Sequence, residues 1–145
     1  MSDNVGDSSS DSARKPAPVA TDPIDAAVIA KLRADYGDED GSLLAELVEA
    51  FAEESRALQR VTQEPVGAEG MLLSQAAHRL KSAAGTLGAK HVVSFCQQIE
   101  AAERAGDQKR SEELLGQLMP AIIRARAVLR RIVTAAAAAA KPPAG

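Results

Sequence analysis

The chain has almost no aromatic residues. Among 145 residues there is no Trp, one Tyr (Tyr36) and two Phe (Phe51 and Phe95). Any core must be filled by aliphatic side chains, and 46% of the chain is hydrophobic all the same. Ala and Leu dominate; both are strong helix formers, and strand-favouring residues are scarce, so an all-α domain is the class expected. The single cysteine, Cys96, excludes an internal disulfide and fits a reducing compartment. No apolar run approaches the ~20 residues needed to cross a bilayer. The opening MSDNVGDSSSDSARKPAPVA lacks the apolar stretch of a signal peptide. A soluble, cytoplasmic protein without membrane contact is expected. The formal net charge of -3, with no dense basic patch, argues against general nucleic-acid binding. No Gly-rich phosphate loop sits between a strand and a helix, so nothing here would hold ATP.

What is present is helical periodicity. Residues 1–21 are rich in Ser, Asp, Pro and Gly and are expected to form a disordered tail, because such a segment buries too little to offset its ordering entropy. Residues 22–134 carry five helical stretches. The first opens at Asp22-Pro23, a capping Asp followed by Pro at the first helical position, and ends near Asp35 before Gly37. The second spans about Ser42 to Val61, with Leu44, Leu47, Val48, Phe51 and Leu58 in one stripe. Gln63 to Gly70, with Pro65, Gly67 and Gly70, reads as a connection. The third runs from about Met71 to Leu87 and stops at Gly88. The fourth covers about Ala89 to Ala105, with Val92, Phe95, Cys96 and Ile99 inward. The fifth starts near Gln108, and its stripe is Leu114, Leu115, Leu118, Ile122, Ala125, Leu129 and Ile132. Pro120 falls opposite that stripe, so one bent helix is expected. Residues 135–145 are expected as an Ala/Pro-rich flexible tail whose alanines can prolong the last helix. The architecture is then an antiparallel four-helix bundle with a short additional N-terminal helix as a lid.

The third stretch carries the informative pattern. Leu73, Ala77, Leu80, Ala84 and Leu87 make its core stripe, while His78, Lys81, Ser82 and Gly85 make a second one. At about 100° per residue the two lie roughly 130° apart, so His78 points away from the core. A lone helical His is most often a plain surface residue. Gly85 weighs against that reading, because a mid-helix Gly costs about 1 kcal/mol relative to Ala and close approach by another surface would explain it. Lys81, one turn from the imidazole, would stabilise an anionic group placed there. His91 lies thirteen residues from His78 with no Cys or carboxylate cluster at ligand spacing, so no metal site is expected. Cys96 falls on a core stripe and reads as a small buried hydrophobe.

The segment AHRLKSAAGTLGAKHVVSFCQQIE, Ala77 to Glu100, resembles the signature of histidine phosphotransfer (HPt) domains: His-x-Leu-Lys-Gly, a run of small residues, a Gly ten residues after the His, then a helix with an apolar-x-x-Cys-like pattern. His78, Leu80, Lys81, Gly85 and Gly88 match by position; Ser82 stands where Gly is commoner. The resemblance implies that His78 accepts a phosphoryl group from a receiver-domain aspartate and passes it to another receiver. Gln97, Glu100 and Arg104 share one face of the fourth stretch, and the resemblance places the Glu100 and Arg104 positions beside that histidine, although a solvated charged face is the alternative. Lys81 would supply charge, and Ser82 and Gly85 a bare docking surface. Expected partners are receiver domains and a hybrid sensor histidine kinase. The chain would be a monomer with no cofactor of its own, Mg²⁺ residing in the receiver, and a carrier without kinase activity. Two other readings stay open: an unphosphorylated adaptor that docks a receiver or kinase, and the dimerisation helix pair of a sensor kinase. The latter favours an acidic residue after its His and a Pro soon after; here Arg79 follows, and no Pro appears before Pro120.

Overall fold

The computed structural model describes residues 22–63 and 72–140, all in helices and their connections, with no strand among them. The helices are α1 (Ala26–Tyr36), α2 (Ser42–Gln63), α3 (Leu73–Thr86), α4 (Lys90–Arg104) and α5 (Gln108–Ala140). The fold is the expected all-α bundle. Helices α2 to α5 form a closed ring in which α2 packs on α3, α3 on α4, α4 on α5 and α5 on α2. The disordered tail expected over 1–21, the connection after Gln63, and residues 141–145 lie outside the described residues.

The apolar stripes meet along the bundle axis. Phe51, Leu44 and Leu58 of α2 are fully buried with Leu80 and Ala84 of α3, Val92, Cys96 and Ile99 of α4, and Leu114, Leu118 and Leu129 of α5. Leu73, Phe95, Leu115 and Ile132 are only partly covered at the edges of the same core. Each fully buried Leu stabilises the fold by about 1.5–3 kcal/mol relative to exposure, which puts most of the stability in α2 to α5. By contrast α1 buries only Ile29, with Ile24 just ahead of it.

Three details set the helix boundaries: two helix starts depart from the sequence reading, and the alanines prolong the last helix as that reading allowed. First, α1 is capped by Asp25, whose carboxylate accepts from the Ala27 amide at 3.1 Å, and not by Asp22. Pro23 and Ile24 stay non-helical because Ile24 enters the core and the Asp25 amide donates to the Gly88 carbonyl at 2.9 Å. Second, α5 continues past residue 134 to Ala140, and Ala136 is buried. Its methyl group fits against Gly41, whose φ is +78°; a Cβ there would stand 2.8 Å from the Ala136 Cβ. Third, α3 begins at Leu73, where the Leu72 amide donates to the Gln75 side chain at 2.9 Å. Pro120 sits exposed inside an unbroken α5. The carbonyl it leaves without an amide partner belongs to Gly116, also exposed and open to water.

A polar knot joins α1 to α2. Asp38 is buried, and its carboxylate accepts from the Leu43 and Leu44 amides at 3.0 Å each. It thereby satisfies free N–H groups at the start of α2. Arg33 of α1 reaches the carbonyls of Asp38 and Glu39, each at 3.0 Å. Gly88 (φ +71°) ends α3 in the left-handed conformation expected of it. A Cβ there would lie 2.9 Å from Val28 Cβ and 3.0 Å from the Asp25 carbonyl oxygen. The residue is therefore needed both for its backbone angle and for the seating of α1.

A histidine held between two helices

His78 projects from the middle of α3 with its side chain 63% exposed, while its neighbours Ala77 and Leu80 are buried. The opposing helix α4 presents Glu100, whose side chain is only 13% exposed. One carboxylate oxygen of Glu100 lies 3.0 Å from His78 Nδ1, and the other takes a hydrogen bond from Lys81 Nζ at 2.6 Å. Three residues named from sequence, His78, Lys81 and Glu100, thus form one linked group across α3 and α4. Its chemistry follows from Glu100. Burial favours the neutral acid, but hydrogen bonds and charge from Lys81 and His78 outweigh it, and the carboxyl is held below the ordinary glutamate range. An ionised carboxylate only accepts, so in the neutral ring Nδ1 carries the hydrogen. Nε2 is left with its lone pair directed away from Glu100, on the solvent side of an exposed ring.

Lys81 is therefore not a free cation waiting beside the imidazole; it is engaged with Glu100. The pairing joins positions nineteen residues apart on two helices, and no local spacing signals it. Ser82 and Gly85 continue the exposed face of α3 beyond His78. A Cβ added to Gly85 would meet only Val93 Cγ2, at 4.0 Å, so nothing within the bundle demands a glycine there. Gln97 and Arg104 are exposed on α4, and among the described residues neither makes a hydrogen bond or ion pair. The structure does not join them to the His78 group. His91 stands half-buried at the other end of α4, over an open depression lined by Lys90, Ser94 and Phe95. Among the described residues, no three His, Cys, Asp or Glu side chains come together as a metal site. Cys96 lies beneath the site; burial and the Glu100 charge, partly offset by Lys81, push its thiol pKa up to about 12.

Arg79 was not among the residues singled out for a site. It makes a two-point contact with Glu54 of α2, Nε to one carboxylate oxygen at 3.2 Å and a terminal nitrogen to the other at 3.2 Å.

The family model of the Hpt domain matches residues 32–139, which span all of α2 to α4 and nearly all of α5. The chain belongs to the Hpt domain family. Hpt domains carry phosphoryl groups on a histidine in phosphorelays, and partners of the receiver-domain kind follow from membership. No curated protein and no solved structure matches the chain significantly. Among the described residues of this Hpt domain, no helix is long and apolar enough to cross a membrane.

Proposed function

We propose that this Hpt domain accepts a phosphoryl group on His78 Nε2 from the phosphoaspartate of one receiver domain and delivers it to the aspartate of another. The observation that carries the reading is the Glu100 contact at His78 Nδ1, which fixes the tautomer whose Nε2 is a nucleophile. In the forward step the Nε2 lone pair forms the N–P bond. The acyl oxygen–phosphorus bond breaks, and the aspartate carboxylate leaves with the electron pair. Nδ1 keeps its hydrogen, and the positive charge left on the ring faces the Glu100 carboxylate. Reversal on a second receiver returns the ring to neutral. Phosphoryl transfer asks mainly for alignment and charge compensation, which is why a helix surface suffices. The receiver brings Mg²⁺ and its acidic pocket; this chain brings the oriented imidazole and no kinase activity of its own.

In this scheme Lys81 acts first through Glu100, holding the carboxylate ionised and in place, and adds positive charge near the phosphoryl oxygens. Ser82 and Gly85 keep the α3 surface low so that the receiver's aspartate can come within bonding distance. Gln97 and Arg104 line the α4 side as contacts for the receiver or a hybrid sensor kinase. The protein would act in the cytoplasm. The test is incubation with a phosphorylated receiver domain, comparing wild type with Gly85→Gln and Lys81→Ala. Wild type is expected to take up label. Gly85→Gln is expected to remain folded yet transfer at least tenfold more slowly, the penalty on the order expected when the reacting atoms are misplaced by about 1 Å. Lys81→Ala should be slowed while docking weakens little. Transfer by Gly85→Gln at the wild-type rate would show that this face is not where the receiver sits.

A further inference from the structure

Helix α3 presents an unusual mechanical problem. It has to hold a reacting side chain in register, yet Leu73 and Leu80 are its only large apolar residues; Ala76, Ala77, Ala83 and Ala84 supply the rest of its apolar surface. Such small side chains present shallow ridges to the neighbouring helices. Around His78, ionic contacts lie on both flanks. On one side Glu100 of α4 receives His78 and Lys81. On the other, Glu54 of α2, with its side chain 23% exposed, receives Arg79 through two parallel contacts of 3.2 Å. A guanidinium presents a rigid planar fork, so a two-point contact fixes orientation as well as distance.

We propose that the Arg79–Glu54 pair is a positioning device for the transfer reaction. Together with Glu100 it braces α3 from both sides and sets the roll of the helix that keeps His78 Nδ1 on Glu100 and Nε2 outward. Arg79 and Glu54 act through His78 and touch no reacting atom. The proposal rests on the carrier reading given above, since it assigns a role within that reaction. It also separates two possible uses of Arg79. A cation beside the histidine could simply meet an acidic receiver, but that use would not need Glu54, which lies on α2 and reaches this face only through Arg79.

The test uses the full chain in four forms: wild type, Glu54→Gln, Arg79→Lys and the double variant. Phosphoryl uptake from a phosphorylated receiver is followed over a range of receiver concentrations. In parallel, the ¹⁵N–¹H correlations of the His78 ring are recorded at pH 8 without any receiver, where they report which ring nitrogen carries the hydrogen. Glu54→Gln and Arg79→Lys are each expected to lower the saturating rate on the order of threefold to tenfold, with the half-saturating receiver concentration unchanged. Each should also raise the share of the Nε2–H tautomer, while thermal melting stays near wild type. The double variant should be no slower than either single one, as befits two halves of one contact. Unchanged ring signals in both single variants would overturn the brace, whether or not transfer occurs. A raised half-saturating concentration at an unchanged saturating rate would also overturn it, making Arg79 a receiver contact. Failure of wild type to take up label, with ring signals shifting as expected, would sink the carrier reading and leave the brace as a fact about the ring alone.

Discussion

Two glycines three residues apart in the same signature, about 4.5 Å at 1.5 Å of rise per residue, do opposite jobs. Gly88 is fixed by the fold: its φ is +71°, and a Cβ would collide with Val28 and the Asp25 carbonyl. Gly85 is not, because the space above it is open apart from Val93 Cγ2 at 4.0 Å. Thermal melts of the two alanine variants should therefore move in opposite directions. Gly85→Ala should stabilise by about 0.5–1 kcal/mol, the usual gain in a helix interior. Gly88→Ala should destabilise by at least about 1–2 kcal/mol from the backbone angle alone. Gly85→Ala melting below wild type would mean that the bundle itself requires the glycine, and the docking argument would lose its support. Both glycines could be found in the sequence, but only a third dimension tells them apart. The same holds for Lys81, legible as a cation one turn from His78 yet committed to Glu100 on another helix. Cys96 was legible as core, and its environment sharpens that: with the thiol pKa pushed up to about 12, almost no thiolate exists at neutral pH. Alkylation by iodoacetamide should be negligible in the native protein and rapid after unfolding. Rapid labelling of the folded chain would contradict the burial of Cys96.

Helix α1 differs from the other four in how it is held. It contributes Ile29 and, from its leading segment, Ile24 to the core, with Leu32 packed partly buried against it; polar ties run through Asp25 to Gly88 and through Arg33 to the loop at Asp38. Burial of two aliphatic side chains is worth roughly 3–6 kcal/mol, less than α2 and α5 draw from their larger sets of buried Leu, Ile and Phe. Native-state hydrogen exchange should accordingly show α1 amides opening at a lower free energy than those of α2, α4 and α5. Equal protection throughout would place α1 within the cooperative core and contradict its reading as a lid. The lid was legible because its apolar pattern is sparse. Its start was misplaced because Asp22-Pro23 has the local chemistry of a helix beginning, and only the demand of Gly88 for the Asp25 amide overrides it. At the other end the run of alanines favours helix, and the fit of Ala136 against Gly41 accompanies its continuation through Ala140.

The bundle closes its apolar stripes within one chain, and the large exposed apolar residues among those described are Tyr36, Leu72 and Ile123, one each near α1, α3 and α5. Such scattered residues make no obligate interface, so light scattering at micromolar concentration should give the mass of a monomer, and a tight dimer would revive the sensor-kinase helix pair. The fold was readable because its helices are long and amphipathic and meet through one-sided stripes. The candidate site was readable as the stripe His78–Lys81–Ser82–Gly85, with Glu100 added by the family resemblance; that Glu100 takes both His78 and Lys81, and that Glu54 takes Arg79, emerges only when separate helices are brought together. Those two carboxylates give the account its most direct test. Chain labelled with ¹⁵N at histidine should be incubated with a phosphorylated receiver, and the phosphorylated ring nitrogen identified by NMR and mass spectrometry, with His78→Gln alongside. The account predicts an acid-labile phosphoryl group on Nε2 of His78, the hydrogen retained on Nδ1, and no label on the folded His78→Gln variant. A phosphoryl group on Nδ1, on His91, or on the variant would contradict it.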